Sequence, residues 1–363
     1  MARPGLLMYH EAEIARRQDA GDFGGRAMRN KKFILVSILA GTVVCGGAFL
    51  HTSRAQETSR QKSDAPSTDC DRKCLYGFVD QYMDALIAKD PSRLPWAKTV
   101  KFTENNVELQ IPDGLWNTVS GKGAEDLRAA DVQNGQVAYY GVIDEHNVPG
   151  FLALRLKVVD DRIAEVETII DRKGNGPGPF GDPDKMTSLP IFQQEVPAEQ
   201  RTPRARMIAL ADGYFNTLQL NDGHIFTIFD PACSRRENGV WTASDPNADA
   251  NATTGPAQYG KFSCEQGFKL GNYRWDDRLR ARRFPLVDEE QGMVLAGGFI
   301  DHSAKIDTYT TTDGVTHPTP LKSPHSFCFL ETFKIVDGRI RHAEAMFITV
   351  PYNMPSPWFR ADD

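Results

Sequence analysis

Thr332-Phe333-Lys334-Ile335-Val336-Asp337-Gly338-Arg339-Ile340, running on to Glu344, is the stretch whose reading decides the fold. Apolar and polar residues alternate up to Asp337-Gly338, and the alternation resumes after it. Alternation of this kind buries one face of a strand, and a tight turn of the right twist needs residues that tolerate positive φ, so the phrase predicts a β-hairpin. The same phrase occurs earlier as Leu154-Arg155-Leu156-Lys157-Val158-Val159-Asp160-Asp161-Arg162-Ile163, running on to Glu167. At a constant offset of 177, Lys, Val, Asp, Arg, Ile and Glu recur at matched places. Three further anchors follow in the same order. Asp80-Gln81-Tyr82 answers Asp212-Gly213-Tyr214, the stretch Phe102 to Asn106 answers Arg235 to Gly239, and Gly141-Val142-Ile143-Asp144 answers Gly298-Phe299-Ile300-Asp301. Four anchors in register predict one fold unit used twice.

The 363 residues leave room for two cores of ordinary size. Formal net charge is −6, and beyond residue 55 the balance is 34 basic to 44 acidic residues. An acidic body without a basic cluster argues against nucleic acid, because phosphate binding rests on neutralisation by Lys and Arg. It argues equally against an anionic membrane face. The uncharged apolar run 33–50 follows Arg29, Lys31 and Lys32 and precedes small residues near Ala55. It reads as a secretory signal peptide, with an uncleaved anchor as the alternative. Residues 1–27 resemble neither a targeting signal nor a domain, and the expected start is Met28. The body is therefore expected in the periplasm or outside the cell, with no membrane contact beyond this segment. Export permits disulfides. Cys70 and Cys74 stand one helical turn apart, and Cys233 and Cys264 flank a Gly/Asn/Asp-rich excursion, so these two pairs are expected to bridge, leaving Cys328 as a buried thiol.

In chain order, 28–55 is the signal or anchor and 56–69 a polar leader. A first unit, 70–172, opens on a helix with Leu75, Phe78, Val79, Tyr82 and Leu86 on one face and continues as strands. Within it, Gly114–Asn117 and Ser120–Gly123 read as loop. The Gly/Pro-rich stretch 173–200 reads as a linker whose Leu189, Ile191 and Phe192 touch something. A second unit, 201–352, repeats the order with a helix from Arg206 to Leu220 and an inserted loop over 241–275, before a tail, 353–363. Helix first and strands after is an α+β pattern.

The phrase Phe333 to Ile340 resembles the last strand turn of the nuclear-transport-factor-2-like, or SnoaL-like, superfamily. Together with the paired Glu-Asn dipeptides and the cysteine-started helix, it is also similar to a secreted domain-of-unknown-function family within it. The first copy departs from that pattern, with Asp161 in place of Gly. The resemblance implies two cone-shaped units, each made of helices packed on a strongly curved antiparallel sheet, with a pocket at the open end. It implies a pseudo-dimer within the chain, with a homo-oligomer also open. It further implies acid–base chemistry on a small apolar or aromatic oxygenated substrate, as lyase, dehydratase or isomerase, without cofactor or metal. A non-catalytic small-molecule-binding or envelope-assembly module is the alternative, since fold alone does not decide function.

Candidate residues follow from chemistry. Glu104 and Glu237 are possible bases at the mouth of an apolar cone, with Asn105 and Asn238 as hydrogen-bond donors. Tyr82 and Tyr214, at matched places on the first helices, are candidate oxyanion donors by resemblance. The second unit also gathers His302, His317, His325 and His342, of which His325 and His302 are the candidate acid–base groups. Trp116, Trp241, Tyr259, Tyr273, Trp275 and Trp358 fall in loops, where covering core edges is the expected role. The cysteines and histidines lack metal-ligand spacing.

Overall fold

In the computed structural model both quoted phrases are β-hairpins, reversed at Asp160-Asp161 (φ 49° and 55°) and at Asp337-Gly338 (φ 51° and 67°). The structure describes residues 70–252 and 257–359, all within one compact unit, Ser63–Asp363. The expected start at Met28, the apolar run 33–50 and the leader 56–69 lie outside the described residues. Among the described residues no helix is long and apolar enough to cross a membrane.

Helix α1, Arg72–Ile87, starts where the Asp71 carboxylate accepts from Cys74 N at 2.8 Å, and it buries Leu75, Phe78, Val79, Tyr82 and Leu86. This supplies an orphan amide of the first turn with a partner. Strands β1 (Trp96–Glu104) and β2 (Val107–Glu108) lead through the short α2 (Leu115–Thr118) to β3 (Val119–Asp131), β4 (Gln136–Glu145), β5 (Val148–Val159) and β6 (Arg162–Asp171). They form a six-stranded sheet in the order β2-β1-β6-β5-β4-β3. After 173–200, which contains a single-turn helix α3 (Pro190–Gln193), helix α4 (Arg204–Leu220) leads into β7 (Phe229–Glu237) and β8 (Val240–Ala243). Two short helices, α5 (Ala257–Gly260) and α6 (Cys264–Leu270), precede β9 (Arg278–Asp288), β10 (Met293–His302), a small ribbon of β11 (Thr308–Thr310) and β12 (Thr316–Pro318), then β13 (His325–Val336) and β14 (Arg339–Val350). The second large sheet runs β8-β7-β14-β13-β10-β9, the same permutation as the first.

The class is α+β with two cone-like halves, as the resemblance implied. Several expectations need correction. Each sheet is mixed rather than antiparallel, because β1 lies parallel to β6 and β7 parallel to β14; alternation marks a strand but not its direction. Ser120–Gly123 is part of β3, and its glycines accompany register shifts against β4 rather than a loop. The 241–275 stretch is not simply loop, since it holds most of β8 together with α5 and α6. Strand β9, with four arginines, carries no clean alternation. Both β3 and β9 are sheet edges, where polar and charged residues are tolerated.

The two sheets pack back to back. One face of each carries its helix and an apolar core. The opposite faces meet through Tyr140, Phe151, Leu295, Phe299, Leu330 and Met346. Four charged residues of the doubled hairpins lie on these meeting faces and are buried rather than solvated: Arg155, Glu167, Lys334 and Glu344 are each 4% exposed or less, whereas Arg162 and Arg339 beside the turns are exposed. Arg155 Nε meets Glu167 Oε2 at 2.8 Å, and Arg283 reaches the same carboxylate from the other sheet. Burial pushes the Glu167 carboxyl up, but Arg283 and Arg155 outweigh it and hold it below the usual range. Lys334 Nζ donates to Gln194 O and Gln291 O at 2.6 Å each, which pins the linker to the second sheet. Phe192 of the linker is buried against the His342 ring, so the segment does not float free. The tail returns to the first sheet, where Trp358 Nε1 donates to Thr103 Oγ1 at 3.0 Å beneath the Arg155 guanidinium.

The expected disulfides, Cys70–Cys74 and Cys233–Cys264, are both formed, with Cα separations of 5.2 and 5.7 Å, and Cys328 is buried and free. Cys70, Cys74 and Asp161 cluster closely enough to hold a metal, but the two sulfurs are bonded to each other.

Glu167→Ala leaves Arg155 and Arg283 without their shared carboxylate inside the sheet interface. Urea unfolding should show a loss of about 3–5 kcal/mol. Glu165→Ala, which removes a more exposed partner of Arg155, should cost no more than about 1 kcal/mol. Equal losses in the two variants would contradict a buried ionic junction.

Candidate functional site

Strand register makes the two halves comparable residue by residue. Phe102 and Glu104 stand opposite Val166 and Thr168, as Arg235 and Glu237 stand opposite Ala343 and Ala345. The offset from β6 to β14 is the 177 of the doubled hairpin. Asn105 and Asn238 follow in left-handed conformation, φ 50° and 44°. Each uses its side-chain amide to pair both polar groups of one backbone residue, Ile170 for Asn105 and Phe347 for Asn238. Asn238 Nδ2 also donates to Pro179 O at 3.1 Å. These amides are engaged by the backbone and are not offered to a ligand, which corrects their expected role as substrate donors.

The carboxylates before them diverge. Glu104 Oε2 accepts from Leu115 N at 2.6 Å at the start of α2, and Oε1 pairs with Arg172 at 3.2 Å. Gly114 makes this possible, since a Cβ there would lie 2.2 Å from Glu104 Oε2. With Leu115 and Trp116 folded inward, Trp116 packs edge-on against Tyr82 at 5.6 Å, and both rings are buried in the first core. Glu104 and Tyr82 are therefore part of a packed interior.

Glu237 instead lines a cavity of about 560 Å³ in the second half. Its walls include Leu218, Tyr259, Trp275, Leu321, Phe327 and Phe347, and its polar groups include Arg235, Glu237, Thr242, Tyr273 and Asp276. An apolar cup with a few convergent polar groups is the usual form of a small-molecule site. Tyr259, Tyr273 and Trp275 thus have a cavity role beyond covering core edges. They are brought over the second sheet by the 241–275 insertion, which the Cys233–Cys264 bond ties to β7.

The buried Arg235 guanidinium organises the polar side. Nε donates to Thr242 Oγ1 at 2.8 Å, Nη1 donates to the Tyr214 hydroxyl at 3.2 Å, and Nη2 donates to the Tyr273 hydroxyl. Glu237 Oε1 lies 3.5 Å from Nε. Tyr214, packed between Phe229, Phe268 and Phe333, stands behind Arg235 rather than in the cavity wall. Burial drives its hydroxyl well above the ordinary value. Glu331 faces the same interior and has Oε1 unpartnered. Burial pushes its carboxyl up to about 8, with Glu237 adding and Arg235 and the Tyr214 hydroxyl opposing.

At another side of the cavity, Asp276 Oδ1 lies 2.8 Å from His302 Nε2, with both side chains buried. Burial raises the Asp276 carboxyl, and His302 works against that rise. The His302 ring is stacked between Trp275 at 5.4 Å and His325 at 4.9 Å. His325 Nδ1 donates to Ser323 O at 2.7 Å, its Nε2 is buried without a partner, and burial lowers its pKa. Phe327, not His325, lines the cavity, so His325 does not stand where a base would meet a ligand. His342 is buried on the opposite face between Ser234 and Glu344, and His317 stacks on Tyr309 in the ribbon.

Glu237, Tyr214 and His302 are thus gathered in the second half, Glu237 in the wall and the other two behind it. The sequence reading missed Arg235, Thr242, Asp276 and Glu331. Two carried a usable signal, because the internal alignment sets Arg235 against Phe102 and Glu331 against Leu154. A polar residue answering an apolar one in a matched core position marks an interior that is not merely packed. Asp276 sits in a segment with no counterpart in the first half. A larger groove of about 960 Å³ lies where α1 approaches β9, but Arg72, Arg128 and Arg204 within it are each held by carboxylates.

A family described as Domain of unknown function (DUF8021) matches residues 200–347, the half that contains the cavity. No curated protein matches the chain. Among solved structures, AclR from Streptomyces galilaeus, described as a candidate hydroxylase, is similar at 16% identity and a TM-score of 0.21, over 27% of this chain and 79% of its own. An uncharacterized protein with a cystatin-like fold from Caulobacter vibrioides is similar at 16% identity and a TM-score of 0.24, over 40% of this chain and 88% of its own. Likenesses at that level carry no argument about activity.

The raised Glu331 carboxyl has a measurable sign. Between about pH 4.5 and the folded value of about 8, the folded chain keeps a proton that the unfolded chain releases, so stability falls as pH rises through this window. Glu331→Gln removes that dependence. Its thermal midpoint should gain on wild type at pH 8 relative to pH 4.5, and an unchanged difference at the two pH values would refute the assignment.

Proposed function

We propose that the second half holds the active site of a lyase, dehydratase or isomerase that moves protons on a small, uncharged aromatic or alicyclic oxygenated substrate. The observation that carries this reading is the convergence of Glu237, Arg235 and Asp276 on one aromatic-walled cavity. Glu237 acts as the base that removes a proton next to a carbonyl. Arg235, preset by Thr242, Tyr214 and Tyr273, places a fixed positive charge near the developing oxyanion, where a preorganised donor is most effective. Asp276, raised by burial and joined to His302, supplies or accepts the second proton. The wall charges Arg235 and Glu237 offset each other, which favours a substrate without net charge.

In this proposal the chain is a duplicated nuclear-transport-factor-2-like protein, a pseudo-dimer in which the first unit is structural and the second reactive. Two disulfides suit an oxidising compartment, so the body belongs in the periplasm or outside the cell. A second reading, a non-catalytic small-molecule-binding module, is favoured by the Arg235–Glu237 pairing at 3.5 Å, which gives Glu237 a partner before any substrate arrives.

Screening a pool of cyclic ketones and β-hydroxy ketones separates the two. Glu237→Gln and Asp276→Asn should each lower turnover by about 10²–10⁴-fold with binding retained. Ligand binding by the wild type without turnover of any bound compound would decide for the binding module, and unchanged turnover in Glu237→Gln would remove it as the base.

A further inference from the structure

The cavity of the second half is not completed by the second half alone. Residues 177–180, from the segment that leaves the first sheet, form part of its wall. Three anchors fix that stretch. Asn238 Nδ2 donates to Pro179 O at 3.1 Å, and Gly181 N donates to Asn238 O at 2.8 Å. The Phe180 ring packs on Phe151 of β5, with centroids 5.1 Å apart. Phe151 is fully buried in the junction between the sheets and also abuts the turn after Glu237, where a Cβ on Gly239 would lie 2.6 Å from its ring. Pro177 and Pro179 restrict the backbone of the stretch, so it behaves as a preset wall rather than a pliant loop. At its centre, a Cβ on Gly178 would stand 3.0 Å from Phe347 and 3.8 Å from Phe327, two rings of the cavity. The bare backbone at Gly178 therefore lies close against those rings, and a side chain there has to displace Phe347 or enter the cavity.

From these contacts we infer that residues 177–180 are the specificity-determining wall of the cavity: Gly178 sets the width available to a ligand ring, and Phe180, held by the first sheet through Phe151, sets how far that ring extends. This rests on the reading of the cavity as a ligand site. It gives the first half a role in recognition although its own interior is filled by Trp116. The wall acts by shape, because Gly178 and Phe180 bring no side-chain hydrogen-bonding group to the cavity. Its effect is therefore graded by ligand size rather than by ligand polarity, and even one methylene more or less in an apolar pocket changes discrimination by about ten- to two-hundredfold.

The test uses the full chain with both disulfides intact, and calorimetric titration with phenol, 2-naphthol and 2-hydroxyanthracene as probes. Gly178→Ala and Gly178→Leu should weaken 2-naphthol progressively, by about tenfold or more for leucine, while phenol changes by less than about threefold. Phe180→Ala should improve 2-hydroxyanthracene relative to phenol. Trp275→Ala, on another wall, should weaken all three probes. If Trp275→Ala weakens binding but the Gly178 and Phe180 variants shift every probe by the same factor, or none, the wall is overturned and the site stands. If the wild type binds no probe, or Trp275→Ala changes nothing, the site reading falls and takes the wall with it. Gly178→Ala adds a single methyl group, so the size series does not depend on the folding of the leucine variant.

Discussion

Every hydrogen-bonding group of Asn238 is engaged. Its amide side chain pairs both polar groups of Phe347 and reaches Pro179, its N–H donates to Ala345 O, and its carbonyl accepts from Gly181 N. It does this in left-handed conformation, which asparagine accepts more readily than most side chains. One residue therefore ends β7 against β14, leaves Glu237 beside Arg235 at the cavity, and fastens the linker as a wall. Asn105 makes the matching pair of bonds to Ile170, but without a linker attached to it. The shared constraint is the edge of each cone, and the added contact belongs to the half with the cavity.

Once both edges are fixed in this way, the two interiors diverge by simple exchanges. Gly114 lets Leu115 N reach Glu104, the loop folds inward, and Trp116 occupies the first core. In the second half, Arg235 replaces the equivalent of Phe102, and a buried guanidinium cannot be covered by apolar rings alone. It collects Thr242, Tyr214, Tyr273 and Glu237, and Glu331 lies close enough to respond to its charge. Packing in one half and a polar cluster in the other are two outcomes of the same strand order.

The doubled hairpin was legible because alternation and turn chemistry are local, and Asp160-Asp161 and Asp337-Gly338 announce themselves. Strand direction was not, since β1 and β7 run parallel to strands far along the chain. Nor was the burial of Lys334, Arg155 and Glu344, because a charged residue on an alternate strand position reads as solvated until a second sheet is known to cover it. Glu237 and His302 were visible as residue types, and Tyr214 by its matched helix position. The sequence alone did not reveal that Asn238 would be consumed by backbone, or that His325 would stand behind His302. Those outcomes depend on which side of a strand meets which neighbour. Differences between matched positions, such as Phe102 against Arg235, were the more informative signal.

The polypeptide crosses from the first sheet to the second through 173–200 and comes back at Trp358, which donates to Thr103 under Arg155. Two crossings and a buried ionic junction hold the sheets together, so a single backbone break in the linker would not let them drift apart. Such a break near Pro179 would free one end of the cavity wall while the particle kept its shape. Integrity of the fold and integrity of the site are therefore separable properties in this chain.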